Sequence, residues 1–315
     1  MNTIKKGVQH GLQRYLCNDC GHLFRSERRE RNEGKTHLWL EYVFNKQSVR
    51  ELSETHTKDR RTIKKELESY ILPPKIHTSR PVHLIVDATY FGDRLEDTSW
   101  CVVVFRDYYA KEDLWWTYAH TETTSLYYEG RQHLERLGYT IESVTADGFG
   151  GIKQAFSGIP YQMCHVHMER LLRKGTTRNP LTEAGKVLRA LTLSLFDTTS
   201  ILFKQRYQHY LDKYRSFLNE KSLNTETGRL DWTHERLHTA SLSIYTHLPY
   251  LFTYESNPMI PTTSNALEAH FRHINEVTAV HCGLSRPQKQ KLISTILLAS
   301  TIAPSDEKLE EIFKN

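Results

Sequence analysis

Two aspartates follow apolar runs that are typical of buried strands, and carboxylates in such places can support metal-dependent chemistry. Asp87 comes directly after the run 82–86, and Asp147 comes just after the run 139–145. An acid at a buried strand end costs free energy unless it is paired, hydrogen-bonded or bound to a cation. A single case has another explanation, because Asp147-Gly148 is also an ordinary turn sequence. Two such acids, on strands that could lie side by side, indicate a shared site.

A third acid, Glu268, lies in the segment PTTSNALEAHFRHIN. The apolar residues of this segment have the 4- and 3-residue spacing of one helix face: Leu267, Phe271 and Ile274. An adjacent stripe carries Asn265, Glu268 and Arg272, so Glu268 is expected at the border of the buried face, beside an amide and a guanidinium. The alternative is a surface glutamate in the first turn of a helix, where the helix dipole favours it.

A Cys164-x-x-His167 pair follows the last apolar run of this region. The functional interpretation is a structural latch near the site, or a DNA contact made by His167. The alternative is a buried thiol beside a core histidine, which is common for these residue types. A zinc site at this pair would need two further ligands.

Two other aspartates, Asp93 and Asp107, are alternative candidates for the first acid of the site. The polar segment around Asp93, FGDRLEDT, favours a solvated role for Asp93. Trp232 lies in a polar stretch between long helical patterns. It either stacks on an unpaired base or packs in the core.

The elements that must position these residues follow from apolar periodicity. Three strands, a helix, a strand, a helix and a strand are predicted, in that order, at 81–86, 100–105, 114–119, 123–137, 139–145, 152–156 and 159–164. This alternation predicts an α/β fold with a layered sheet. The stretch 165–258 is almost purely helical in pattern, with amphipathic runs at 181–195, 201–218 and 237–254. Helices are also predicted at 262–276 and within 281–300.

The order Asp-Asp-Glu in this layout resembles the catalytic set of DDE transposases with a ribonuclease-H-like core. TADGFGGIKQAF, YQMCHVHMER and TTSNALEAHFR, with a helical block before the last, resemble the Mutator-like group of bacterial insertion-sequence transposases. The acids are 60 and 121 positions apart, so the helical insertion falls between the second and third, as in that group. The resemblance covers most of the chain.

The resemblance implies a mixed ribonuclease-H-like sheet with an all-helical insertion. It also implies two Mg²⁺ or Mn²⁺ ions, with Asp87 bridging both while Asp147 and Glu268 each complete one site. Two such ions ~4 Å apart support in-line displacement at phosphorus. The implied reaction is nicking at the ends of an insertion sequence, followed by joining to target DNA, carried out by a homo-oligomer on double-stranded DNA.

Basic residues after the third acid are a separate hypothesis. Arg272, Arg286, Lys289 and Lys291 could line a DNA channel, since lysine and arginine contacts to phosphate position DNA. A solvated surface is the alternative.

The N-terminal segment contains Cys17-Asn18-Asp19-Cys20-Gly21, the knuckle that holds one side of a tetrahedral zinc ion. A structural zinc site needs four ligands, and neither His10 nor His22 completes a familiar spacing. CNDCGHLFR resembles the zinc-ribbon head found in such elements, with its first half missing. Two interpretations are therefore possible: Zn²⁺ bound at Cys17 and Cys20, or two cysteines that bind no metal.

Residues 36–70 have a helical pattern that includes two short helices joined by a polar turn. The second of these two helices carries Arg60, Arg61, Lys64 and Lys65. Ser48 is a predicted cap of the first of the two short helices, and Thr57 precedes the second. Two short helices with a tight polar turn fit a helix-turn-helix DNA-binding region, whose small core would be Val49, Leu52, Ile63 and Leu67. An ordinary basic helical hairpin is the alternative. Leu72-Pro73-Pro74 predicts a linker.

Composition narrows the class of protein. The chain has 315 residues, of which 38% are hydrophobic and 25% charged, enough for a sizeable core. Residues 1–80 carry 17 basic and 10 acidic side chains, so the whole positive excess of +5 lies there, since the remainder carries a net charge of −2. A basic module on a nearly neutral body favours a polyanionic partner.

No apolar run reaches the ~18 residues of a membrane span, which excludes a spanning protein. Five cysteines and no signal-like start predict a reducing compartment, here the bacterial cytoplasm near the nucleoid. The predicted organisation is a partial zinc ribbon (1–35), a helix-turn-helix (36–75), a first core part (80–175), a helical insertion (176–260) and a core completion (261–315).

Two functions therefore compete. The first is a DNA transposase, and the second is a DNA-binding regulator or domesticated transposase that keeps the fold but no longer cuts. A ribonuclease-H-like nuclease of another kind is a third, although the long helical insertion argues against it. Mg²⁺-dependent nicking of element-end DNA distinguishes these functions, because the transposase would nick it and the regulator would not.

Overall fold

The computed structural model describes residues 2–9, 12–25, 32–93, 98–300 and 306–313. Its strands are β1 (Thr3–Gln9), β2 (Leu12–Cys17), β3 (Leu23–Arg25), β4 (Pro81–Phe91), β5 (Trp100–Asp107), β6 (Glu112–Ala119), β7 (Thr140–Ala146), β8 (Tyr161–Met163), β9 (Lys221–Leu223) and β10 (Leu230–Trp232). Its helices are α1 (Asn32–Phe44), α2 (Val49–Thr55), α3 (Arg60–Ser69), α4 (Thr124–Arg136), α5 (Gly150–Ala155), α6 (His165–Thr176), α7 (Glu183–Ser194), α8 (Ser200–Leu218), α9 (Glu235–His247), α10 (Asn265–Val280), α11 (Arg286–Leu298) and α12 (Asp306–Phe313).

The chain divides into two compact units. The first consists of Met1–Pro74, Val277–Ala299 and Pro304–Asn315, and the second of Lys75–Glu276 and Ser300–Ala303. The five-segment organisation expected from the sequence stays a prediction. No helix in the described ranges is both long enough and apolar enough to cross a membrane.

The first unit begins with a small antiparallel sheet in the order β1-β2-β3. Its strands were not predicted, because TIKKGVQ and its neighbours are polar, and β1 buries almost none of its side chains. Cys17 is the last residue of β2 and Cys20 lies in the turn that leads to β3, where Gly21 N donates to Cys17 O at 2.9 Å.

Helices α2 and α3 are delimited by side-chain caps. Ser48, the cap expected from the sequence, forms a reciprocal capping box with Glu51 at the start of α2. The second helix begins later than predicted, since Asp59 caps it by accepting from Thr62 N at 3.0 Å. Leu52 and Ile63 are fully buried in the core of the first unit.

Helix α11 completes that core with residues from the far end of the chain. Trp39 Nε1 donates to Thr295 Oγ1 at 3.0 Å, and Leu292 and Ile293 are fully buried. Lys291 donates to Leu67 O at 2.8 Å, at the C-terminal end of α3, where a helix dipole favours a cation. The Lys291 side chain thus points into the first unit. This corrects the sequence-based hypothesis, which had placed Lys291 on an open basic surface.

A five-stranded mixed sheet forms the centre of the second unit, in the order β6-β5-β4-β7-β8. The pairs β4–β5 and β5–β6 are antiparallel, whereas β4–β7 and β7–β8 are parallel. The predicted α/β class is therefore confirmed at the level of a mixed sheet with many helices.

The two faces of this sheet have different neighbours. Val82, Leu84 and Val86 of β4 belong to a large apolar cluster that also contains residues of β5, β7 and several helices. Successive side chains of a strand point to opposite faces. Asp87 therefore lies on the other face, together with His83 and Ile85.

Asp87 does not end its strand, which is a correction to the sequence interpretation. Strand β4 continues to Phe91 because β5 pairs with it as far as the Phe91–Trp100 pair. The parallel ladder with β7 stops earlier, at Ile85–Thr145. Asp87 is thus placed where β4 loses its β7 partner, at the carboxyl edge of the parallel pair.

The predicted helical stretch 165–258 is interrupted twice. A hairpin of β9 and β10 was not expected, because each strand has only three residues. The predicted helix 237–254 ends at His247, since Pro249 has no N–H to continue it, and a 3₁₀ turn over Leu248–Tyr250 follows.

Helix α10 is held on the sheet by a buried charged network. Arg106 Nη1 lies 2.7 Å from Asp113 Oδ1, and His270 Nε2 lies 2.8 Å from Asp113 Oδ2. Asp113 is fully buried. Burial opposes its ionisation, yet His270 and Arg106 hold the pKa of Asp113 below its usual value.

We expect Asp113→Asn to lower the free energy of unfolding by about 3–5 kcal/mol, because removing one partner leaves Arg106 buried without its anion. This stabilisation is present above the unfolded pKa of about 4 and is lost as the pH falls below it. Urea denaturation at pH 7 and at pH 3 measures both. Asp212→Asn, on an exposed ion pair with Arg215, should stay within about 0.5 kcal/mol; equal losses in the two variants would contradict the assignment.

Candidate metal centre

Three side chains from distant parts of the chain converge beside the carboxyl edge of β4. One ligand atom from each of Asp87, His167 and Glu268 lies within 4.8 Å of the other two. They come from β4, from the first turn of α6 and from the first turn of α10. Two carboxylates and an imidazole at these distances could hold a metal ion.

Helix α6 is set against the sheet at its first residues. Cys164 N donates to Ala146 O at 2.8 Å at the end of β7, and His165 N donates to Thr262 O at 3.0 Å. His167 therefore emerges at a fixed point beside the strand ends.

Ser264, the residue before α10, joins Cys164 and His167. Its backbone N and its Oγ both lie 3.3 Å from the Cys164 Sγ, to which they donate, and its Oγ is 3.3 Å from His167 Nδ1. Cys164 is fully buried. These contacts tie the start of α6 to the start of α10, as a latch would, while the role of the Cys-x-x-His pair stays a prediction.

Glu268 is engaged by a residue that the sequence did not single out. Arg170 Nη1 and Nη2 donate to Glu268 Oε1 and Oε2, each at 2.6 Å, and His167 Nε2 lies 3.4 Å from Oε1. Arg170 follows His167 by three positions on the same helix, and residues at that spacing share a face. The spacing Cys-x-x-His-x-x-Arg was the available signal.

Asp147 is not part of the three-residue group, although it lies inside the described ranges. It follows β7 directly, and its Oδ1 accepts from Phe149 N at 3.0 Å, which turns the carboxylate toward its own loop. It is nevertheless close enough to affect the group, because its charge helps to raise the pKa of Asp87. Its predicted role as a metal ligand stays a prediction.

The electrostatics of the group are those of acids and bases held close together in a partly buried site. Burial raises the pKa of Asp87 to about 7, against the lowering effect of His167, and the charges of Asp147 and Glu268 raise it further. Burial disfavours the His167 imidazolium, yet Cys164, Asp87 and Glu268 raise the pKa of His167 to about 9. Without a cation, His167 and Arg170 balance the two carboxylates.

The remaining residues predicted around Glu268 are not brought into the group. Asn265 and Arg272 are exposed on α10. Asp107 is excluded as a rival, since it is buried and bound by Arg80 Nη2 at 2.8 Å. Asp93 is exposed beyond the end of β4.

Trp232 is a partly buried residue of β10. Its ring stacks on His238 with centroids 4.1 Å apart, and Lys221 Nζ lies 4.2 Å from the ring centroid. Both faces of the ring therefore have partners within the helical block.

Cys17 and Cys20 do not gain a third ligand. Within the part of the chain that the structure describes, no histidine, cysteine or acid joins them in a group of three. His22 follows in the same turn region, and its carbonyl accepts from Cys17 N at 2.9 Å. His10 lies outside the described residues.

Helix α3 presents its basic residues to solvent. Arg60, Arg61, Lys64 and Lys65 are exposed, whereas Ile63 and Leu67 are buried. This is the charge distribution that a contact with DNA phosphates requires.

Comparisons with known proteins add little. No family model matches the chain, and no curated protein matches it. Among solved structures, the chain is similar to one in the cryo-EM structure of the simian T-cell lymphotropic virus intasome in complex with the PP2A regulatory subunit B56 gamma. The identity is 15%, the match covers 64% of this chain and 74% of that chain, and the TM-score is 0.22, which is too low to carry any argument.

The pKa of Asp87 leads to a testable effect on stability. In metal-free protein, the unfolded chain ionises Asp87 near pH 4 and the folded chain near pH 7, so this residue destabilises the fold as the pH rises between those values. We therefore expect Asp87→Asn in EDTA to raise the free energy of unfolding at pH 8 by at least about 1 kcal/mol, the equivalent of one pKa unit.

The gain from Asp87→Asn should disappear at about pH 3, below both pKa values, where Asp87 is mostly neutral in the folded and in the unfolded chain. Urea denaturation at the two pH values measures it, with Asp93→Asn as an exposed control. A variant that is less stable than the wild type at pH 8 would show that Asp87 is not strained by burial.

Proposed function

We propose that the protein is a DDE-type DNA transposase that cuts the ends of an insertion sequence and joins them to target DNA with divalent cations. The observation that carries this proposal is the convergence of Asp87 and Glu268, 181 positions apart, on one site with His167. Acids so far apart in the chain meet only if the fold brings them together. Two neighbouring, partly buried carboxylates need compensating positive charge, which His167 and Arg170 supply in the free protein and a cation would supply in the proposed active state.

The architecture supports the same proposal. A mixed five-stranded sheet with two antiparallel pairs on one side of β4 and two parallel pairs on the other is consistent with a ribonuclease-H-like fold. The cluster lies at the carboxyl edge of the parallel pair, where ligands bind in open α/β sheets.

The donor set fits Mg²⁺ or Mn²⁺. Carboxylate oxygens suit both ions, and Mn²⁺ also accepts imidazole. Asp87 and Glu268 would hold one ion, and we propose Asp147 as the further ligand needed for a second. When bound, such ions act as Lewis acids that stabilise the entering and leaving oxygens at phosphorus.

The chain's own residues have separate tasks in this proposal. Asp87 supplies an anionic oxygen at the strand edge, and the Ser264 contacts hold Glu268 opposite it. In the metal-free protein the pKa of His167 is raised to about 9, so its ring keeps a proton at neutral pH. A protonated imidazole cannot coordinate an ion, so we give His167 the role of a hydrogen-bond donor to a phosphate oxygen and not that of a metal ligand. Any Zn²⁺ at Cys17 and Cys20 would need ligands beyond those two.

We assign DNA binding to the first unit. Helix α3 and its exposed Arg60, Arg61, Lys64 and Lys65 would contact the phosphate backbone. Arg272 of α10, which belongs to the second unit, is also exposed, and we propose it as a separate phosphate contact. Double-stranded DNA, both element ends and target, is the proposed partner, bound by a homo-oligomer in the bacterial cytoplasm.

The catalytic assignment predicts the effect of three isosteric variants. Asp87→Asn, Asp147→Asn and Glu268→Gln should each reduce Mg²⁺-dependent nicking of DNA flanking the gene by at least about 100-fold, since even outer-shell changes cost 10–100-fold. Binding to the same DNA should persist, as measured by fluorescence anisotropy.

Asp93→Asn, in the exposed segment just after the same strand, should nick at the wild-type rate. Nicking by any of the three variants at that rate would remove its residue from the catalytic set. A wild-type protein that binds the flanking DNA but never nicks it would establish the regulator in place of the enzyme.

Helix α3 yields an independent prediction. Arg61→Gln with Lys65→Gln should weaken DNA binding and reduce the slope of log K against log[salt] by about 2, since each lost phosphate contact removes about 0.9. Lys213→Gln, an exposed lysine of α8, is the control. An unchanged slope in the double variant would exclude α3 from the DNA interface.

A further inference from the structure

Glu268 cannot be fully available to a cation in the arrangement that the structure shows. Both of its oxygens accept from Arg170, each at 2.6 Å, in a bidentate ion pair. A bidentate guanidinium–carboxylate pair is among the stronger charge-assisted contacts. Oε1 is also 3.4 Å from His167 Nε2, so a second side chain already approaches the same oxygen.

A divalent cation and Arg170 therefore compete for the same oxygens. Mg²⁺ binds carboxylate oxygens at about 2.0–2.1 Å and demands near-ideal geometry. To accept it, Glu268 must release at least one Arg170 N–H, and the guanidinium charge would also repel the ion at short range.

The Arg170 guanidinium can leave Glu268 and bind a different anion. Its side chain is 43% exposed, compared with 21% for Glu268, so the guanidinium can leave without unpacking the core. Arg173 and Lys174, further along α6, are also exposed, which makes the solvent side of this helix basic. A phosphodiester offers a guanidinium the same two-oxygen geometry as a carboxylate.

We propose that Arg170 is a gate on the metal centre: it holds Glu268 closed to cations in the free protein and transfers to a phosphate when DNA binds. DNA and the cation thus favour each other's binding through one side chain. This inference rests on the proposed function for the identity of the polyanion. By thermodynamic reciprocity, the cation must strengthen DNA binding by the same factor.

Mn²⁺ titration followed by electron paramagnetic resonance tests the gate on the full chain without DNA and without any activity assay. Arg170→Gln should bind Mn²⁺ at least about fivefold more tightly than the wild type, the lower end of usual coupling factors. A merely structural role for Arg170 would weaken Mn²⁺ binding instead.

The matched control is Arg173→Gln, one turn further on the same helix. It removes the same charge, but Arg173 pairs with Glu169 at 3.8 Å and does not touch Glu268. It should change Mn²⁺ affinity by less than about twofold, since exposed ion pairs contribute little. Arg170→Lys, which keeps the charge without the two-pronged geometry, should lie between Arg170→Gln and the wild type.

A second titration adds a 20-base-pair duplex at low salt, with Mn²⁺ bound by the duplex alone subtracted. The duplex should tighten Mn²⁺ binding to the wild type and to Arg173→Gln, and tighten it much less for Arg170→Gln, which is already open. An affinity of Arg170→Gln equal to or below that of the wild type, or an undiminished effect of DNA on it, would overturn the gate.

Glu268→Gln separates the two levels of the proposal. If it abolishes Mn²⁺ binding while Arg170→Gln leaves the affinity unchanged, the gate is wrong and the metal centre stands. If it binds Mn²⁺ as the wild type does, the metal centre is wrong, and the proposed function and the gate are overturned together.

Discussion

The second unit is organised around a carboxylate that is shielded from water at the edge of a sheet. Asp87 occupies the position where β4 leaves its parallel partner, so strand pairing and helix packing both limit its hydration. Burial raises its pKa to about 7, so at neutral pH its anionic form is favoured only where opposite charges or a cation compensate the lost hydration. The fold meets this requirement by bringing α6 and α10 to the same edge, each with a charged side chain in its first turn.

Glu268 is held from both sides along its helix. Ser264, four positions before it, is fixed to Cys164, and His270, two positions after it, is fixed to Asp113. Two anchors within seven residues leave the first turns of α10 little freedom to move. The carboxylate thus faces Asp87 in a set geometry even without a cation, which is the preorganisation that metal-dependent chemistry needs.

In the free protein, the charges of the cluster balance without a metal ion. Asp87 and Glu268 are matched by His167 and Arg170, so a cation enters a site that is already close to neutral. This is a different situation from an open cluster of acids, whose mutual repulsion would favour any cation. It links cation binding to any other group that attracts His167 and Arg170, and a phosphate has the charge and the oxygen geometry to do so.

The order and spacing of neighbouring residues were enough to predict the core strands, the buried face of the helix that carries Glu268, and one helix cap. Apolar runs of the right length located strands β4 to β8, because the residues of a buried strand are apolar together. They placed Asp147 directly after β7, whereas Asp87 lies inside β4 and not at its end. The spacing around Glu268 correctly placed Leu267, Phe271 and Ile274 on a buried face, with Glu268 at its border. The Ser48 capping box and the basic face of α3 were likewise readable from consecutive residues.

Only the tertiary structure decided which of these residues meet. The strands β1–β3 and the hairpin β9–β10 are too short and too polar to have a periodic signal, and their stability comes from pairing partners. Asp107 and Asp87 look alike in sequence, yet Arg80 neutralises one while the other faces the cluster. Lys291 turns inward and Arg170 closes on Glu268 because of contacts across 224 and 98 positions, and no local spacing encodes a contact at such a separation.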